Sequence, residues 1–169
     1  MVDQLTFQTI FQFLQTISIM VGITYYLMIL RNQQKSQKLT LETRQATLMM
    51  NIFKELTSER RWEEYVRSIY TIKFDTYEEF HEKYGRNNPQ EYSKHLSLWW
   101  TYTVIGLFME QGLLEDEQVY ALMGTMIQSQ WERWKEVIYE LRKDTSPTLF
   151  EDFEKMYNKM VAIQATNNN

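Results

Sequence analysis

The 169-residue chain has no cysteine, two prolines, five glycines and two histidines. Without cysteine it can form no disulfide, no thiolate metal site and no thiol nucleophile. Two histidines leave little material for metal binding or for proton transfer near neutral pH. Gly22 and Gly85 are the only glycine or proline residues in the first 88 positions, and no sustained apolar/polar alternation occurs. Scarce breakers without the strand period predict an all-α protein. There is no glycine-rich phosphate loop, no nucleophile motif and no basic recognition helix with groove-reading residues. Accordingly no catalytic residue, no cofactor and no nucleic-acid partner is expected.

The most informative absence is that of charge. Between Asp3 and Arg31, 27 consecutive positions carry none, although the mean hydropathy of the whole chain is −0.48. As a helix, Ile10 to Leu30 covers roughly 31 Å, the thickness of a bilayer's hydrocarbon core. The rest of the chain is too small to surround such a helix as a core. Tyr25 and Tyr26 stand near one boundary, and Arg31, Lys35 and Lys38 follow it. A cleaved signal peptide fits poorly, because no positive charge precedes the run and no small-x-small site follows. The expectation is a single transmembrane helix at 10–30 behind a short external N-terminus, 1–9. The basic flank predicts a cell-membrane protein whose C-terminal domain is cytoplasmic.

That helix is not uniformly apolar. On a helical wheel Gln4, Gln8, Gln12, Gln15, Ile19, Gly22 and Tyr26 fall in one narrow sector. Amides immersed in hydrocarbon need a partner, so Gln12, Gln15 and Gly22 are the expected association face, toward a second copy or another membrane protein. The plainer reading leaves Gln4 and Gln8 in the headgroup region and immerses only two amides.

From Arg31 to Arg61 seven basic residues face three acidic ones, whereas from Trp62 onward eleven basic residues face eighteen acidic ones. The basic part, Arg31, Lys35 and Lys38 foremost, suits the anionic surface of a lipid bilayer; an ordinary solvated face would have the same composition. The organisation expected is a basic juxtamembrane helix at 31–57, a cytoplasmic bundle of about five or six helices at 58–163, and a disordered tail at 164–169. Leu41, Leu48, Met49, Ile52 and Leu56 form an apolar stripe on the first of these. Trp62, Tyr65, Val66 and Ile69 mark a short helix after Ser58. Thr76 with Glu79 reads as a capping box, with a stop at Gly85. Asn88-Pro89 opens a helix that Gly112 closes. Its segment His95–Met109 is apolar on nearly every face, which predicts a central core helix with Gly106 allowing close contact. Asp116 opens the longest helix of the bundle. Its inner stripe contains Gln130, which needs a hydrogen-bonding partner if buried. Ser146-Pro147 is expected to open the last helix, with Leu149, Phe153, Met156 and Met160 inward.

The chemistry candidates are few. Glu78-x-x-His81 has the spacing of a metal-binding pair on one helical face, but a di-iron bundle needs a second such pair. Tyr92 stands three residues before His95, the only other histidine, so that pair is missing and an exposed capping-box helix is the simpler account. Trp62, Trp99-Trp100 and Trp131/Trp134 could line a ligand pocket. At helical spacing among Leu, Ile and Met they read as core, with Trp100 and Trp134 expected in one interior. Glu132-Arg133 and Glu136/Glu140 read as a solvated face.

The segment Gly106–Ile138 has a helix ending in Gly112-Leu113-Leu114, an acidic cap at Asp116 and Glu117, then Val119-Tyr120, Gly124 and Trp131. Later comes the step Pro147-Thr148-Leu149-Phe150-Glu151-Asp152-Phe153. In these features, and in the apolar N-terminal helix, the chain resembles a family of short prokaryotic helical proteins, many membrane-anchored, known only as a domain of unknown function. The resemblance implies the architecture above and brings no established activity. The reading that follows is a membrane-tethered, non-enzymatic interaction or accessory protein. Alternatives are an accessory subunit of a larger membrane complex held through its transmembrane helix, and a metal- or ligand-binding helical enzyme using Glu78 and His81.

Overall fold

The structure, a computed structural model, describes residues 2–167, and the side chains of 7–167. Gln4's side chain, Asn168 and Asn169 therefore lie outside the described residues. Among the described residues there are six α-helices, one π-helical turn and no strand. In chain order these are α1 (Val2–Leu56), α2 (Glu59–Val66), the π turn (Arg67–Thr71), α3 (Tyr77–Tyr84), α4 (Pro89–Glu110), α5 (Asp116–Asp144) and α6 (Glu151–Asn167). The chain divides into two compact units, Met1–Ala46 and Thr47–Asn169. The first is the greater part of α1. The last ten residues of α1 belong to the second.

The helix boundaries follow from local chemistry. The Thr76 hydroxyl accepts the Glu79 amide at 3.2 Å, and the Glu79 carboxylate in turn accepts the Asp75 amide at 2.8 Å. Asn88 caps α4, accepting from the Glu91 amide, with proline at the first helical position. Beyond α4, Gly112 takes φ +67°, a left-handed conformation that costs glycine little. The last helix departs from expectation. Ser146-Pro147 opens a tight turn, with the Leu149 amide donating to the Ser146 carbonyl at 3.0 Å, and α6 starts four residues later at Glu151. Phe150 closes that turn with φ 57°. Such a value costs a bulky residue of order 1–3 kcal/mol, and here the ring is buried against Trp99 and Trp100 at 5.6 and 5.2 Å. Residues 164–167 of the expected disordered tail continue α6 instead.

The interior of the second unit is built on α4. A Cβ placed on Gly106 would lie 2.1 Å from the Asp152 carbonyl oxygen, so α4 and α6 touch backbone to backbone there. That approach stacks Tyr102 on Phe153 at 4.9 Å and sets Phe153 edge-on to Trp131 at 5.0 Å. On the other side Trp99, Trp134 and Phe80 form an edge-to-face cluster. Met49 and Leu56 from the end of α1 are buried, Leu48 and Ile52 are half-buried, and Leu41 is exposed.

The tryptophans divide. Trp99, Trp131 and Trp134 are buried, as the helical spacing predicts. Trp62 and Trp100 are 46% and 50% exposed, contrary to the core assignment. Adjacent positions on a helix point about 100° apart, so an all-apolar run like α4's does not tell which member lacks a neighbour. Val104 and Leu107 are exposed with Trp100 on the same side. A stability difference follows. Trp134→Ala should lose about 3–5 kcal/mol, and Trp100→Ala about 1 kcal/mol. Denaturant titration of the two variants checks this, and equal losses would contradict the packing described.

Candidate functional site

In the first unit every residue from Phe7 to Met28 is exposed on all faces of the helix. This segment is long and apolar enough to cross a membrane, and none of its apolar window is buried. Three of its hydroxyls are satisfied by the helix itself. Thr16, Ser18 and Thr24 each donate to the carbonyl four residues back, at 2.8–2.9 Å. Gln12, Gln15 and Gly22 are exposed, as are Arg31, Lys35 and Lys38. Lys38 makes only a long ion pair with Glu42, 3.8 Å, which is worth little at the surface.

In the second unit an open groove of about 520 Å³ lies between the end of α1 and α4. Ile52, Trp100, Val104 and Ile105 form its apolar wall, and Asn51, Glu55, Ser97 and Thr101 its polar edge. Arg61 fixes that edge. Its guanidinium donates to Ser97 Oγ at 3.0 Å and to Glu64 at 2.9 Å, and pairs with Glu55 at 3.4 Å. Sequence reading assigned Trp100 to the core and left Ser97 and Thr101 without a role. The available signal was the i, i+4, i+7 spacing of Trp100, Val104 and Leu107, a stripe separate from the buried Trp99–Tyr102–Gly106 side.

Glu78 and His81 line a shallow dish of about 460 Å³ with Tyr77, Glu82, Asn87 and Asp144. His81 stacks obliquely on Tyr77 at 5.9 Å. Among the described residues no three His, Cys, Asp or Glu side chains are arranged to hold a metal ion, so the helical spacing of the pair is not completed by a third ligand.

Beneath these surfaces lie polar groups. Gln130, fully buried, donates to Ser68 Oγ at 2.6 Å, and Ser68 donates to the Tyr65 carbonyl at 2.8 Å. This supplies a partner for the Gln130 amide nitrogen, while its Oε1 has none among the described residues. The π turn carries Ser68 into that position, since its wider winding breaks the regular α-helical register after α2. His95 is 3% exposed and sits among Trp134, Trp99, Phe80 and Tyr84, with centroids 4.7–6.4 Å away. Its Nε2 has no hydrogen-bonding partner among the described residues. Burial, helped by the Arg67 charge, lowers its pKa to about 4.

The unfolded imidazole, near 6.5, takes up a proton before the folded one. The neutral ring therefore contributes its full stability above pH 6.5. That contribution is lost as pH falls from 6.5 through about 4, and amounts to about 3 kcal/mol. His95→Phe should remove this part of the acid sensitivity while leaving that of the carboxylates. Unfolding free energies of parent and variant at pH 7.5 and pH 4 test it; parallel pH slopes would show that His95 is not held neutral by the fold.

The family described as "Domain of unknown function (DUF4760)" matches residues 13–160, from the apolar segment of α1 to the middle of α6. No curated protein and no solved structure matches. With the fold all-helical and the match running through both units, the chain belongs to the DUF4760 family, a domain of unknown function.

Proposed function

We propose that this is a membrane-tethered, non-enzymatic interaction or accessory protein. In this reading α1 anchors it in the cell membrane and the helical unit offers a docking face on the cytoplasmic side. One observation carries the proposal: the apolar stretch of α1 is exposed throughout, with no side chain of 7–28 covered. Twenty-two such residues in water would be a large hydrophobic liability. In lipid the same exposure is favourable, and a helix satisfies its own backbone there. The internally bonded hydroxyls of Thr16, Ser18 and Thr24 suit that setting too.

The orientation rests on charge. Arg31, Lys35 and Lys38 follow the apolar run without a compensating acid before Glu42, which favours the cytoplasm for everything beyond them. Near the inner leaflet these cations add attraction to anionic lipid of about 1 kcal/mol each. The docking role rests on the groove beside Trp100, where an aromatic wall meets hydrogen-bonding groups held by Arg61. Tryptophan and arginine are the residues most often found at the centre of protein interfaces.

Topology is the test. Because the natural chain lacks cysteine, Val2→Cys and Gln90→Cys can each be probed singly. In sealed cells a membrane-impermeant maleimide should label position 2 and should reach position 90 only after lysis. Labelling of position 90 from outside would reverse the orientation. Release of the protein from membranes by alkaline wash would remove the anchor.

A further inference from the structure

We propose that α1 pairs with α1 of a second copy, parallel and in register, through the seam Gln8, Gln12, Gln15, Ile19, Gly22 and Tyr26. The proposal rests on the membrane-anchor reading above. These positions recur at alternating spacings of four and three, the 3.5-residue repeat of a two-helix seam. All are exposed.

Three features single out a second copy as the occupant. The first is hydrogen bonding. Gln12 and Gln15 have no side-chain hydrogen bond among the described residues, whereas the hydroxyls nearby are satisfied by their own helix. A primary amide carries donors and an acceptor, so across a two-fold axis glutamine can donate to and accept from its own counterpart. In hydrocarbon no water competes for those bonds.

The second is charge. Copies of one chain share the topology set by Arg31, Lys35 and Lys38, and paired anchors are therefore parallel. In such a pair each seam residue meets itself, and a charged one would face its like. The seam carries no charge, and at the same repeat beyond Tyr26 it meets Ile29, Gln33, Ser36 and Thr40, also uncharged. Arg31, Lys35 and Lys38 stand on the opposite side of the helix.

The third is Gly22. Glycine weakens a helix interior, and a Cβ there would meet nothing within 4 Å. Among the described residues nothing calls for a glycine there, whereas the close approach of another helix does. With its flanks the seam engages about fourteen residues of each copy, fewer than the ~20–30 per side of a stable soluble complex. The dimer should accordingly be weak and reversible.

The open space at Gly22 also makes the test clean, because a side chain there does not disturb the chain itself. The full chain with Gly22→Cys, Gln15→Cys or Ile17→Cys is oxidised with copper phenanthroline in native membranes. The first two should form disulfide-linked homodimers, and Ile17→Cys, on the opposite face, should not. Adding Gln12→Leu to Gly22→Cys together with Gln15→Leu should lower the dimer yield by about tenfold. Equal yields at positions 17 and 22, or no dimer at 15 and 22 in protein that resists alkaline wash, would overturn the pairing and leave the anchor standing. Release by the wash would overturn both.

Discussion

The second unit depends on one contact, the backbone approach of α4 to α6 at Gly106. Any side chain at 106 would collide with the Asp152 carbonyl, so the spacing of these two helices is set by the absence of a Cβ. With the helices that close, Tyr102 can stack on Phe153 and Phe153 can meet Trp131. The same contact fixes the turn before α6. Phe150 must bend into a left-handed conformation to bring Glu151 and Asp152 onto α4, and Arg142 secures the bend. Its Nε donates to the Leu149 carbonyl at 2.8 Å, while another guanidinium nitrogen binds Glu154 at 2.6 Å. Backbone strain at one residue is thus offset by ring burial and a charge-assisted bond.

A core made mainly of aromatics leaves polar edges to satisfy. The Gln130 amide nitrogen is served by Ser68 through the π turn, but Gln130 Oε1, His95 Nε2 and the indole nitrogens of Trp99 and Trp134 find no partner among the described residues. Aromatic rings pack around His95 at centroid distances of 4.7–6.4 Å. The cost of those groups and the depressed basicity of His95 have one origin, burial. This cluster bears on acid stability.

The two units differ in what their apolar residues do. In the second unit most Leu, Ile, Met and Trp side chains disappear into one interior, and among those that remain outside Trp100, Val104 and Leu107 share one side of α4. In the first unit the apolar residues stay exposed on all faces of a single helix, together with amides at a regular spacing.

Much of this was legible in the sequence. Caps at Thr76, Asn88 and Gly112 marked helix limits correctly, since capping is a contact between residues three or four apart. The inner stripe that contains Gln130 marked the buried face of α5, and the gap in charge after Asp3 marked the apolar helix. These are local properties, and local physics determines them. Where contacts join distant residues the sequence was silent. It did not separate Trp99 from Trp100 on a helix apolar all round. It did not foresee the turn that delays α6 to Glu151, nor the groove that Trp100 shares with Ile52, nor the burial of His95. Each of those depends on which helix lies alongside, and that choice is made only when α4, α5 and α6 compete to bury one another's surfaces.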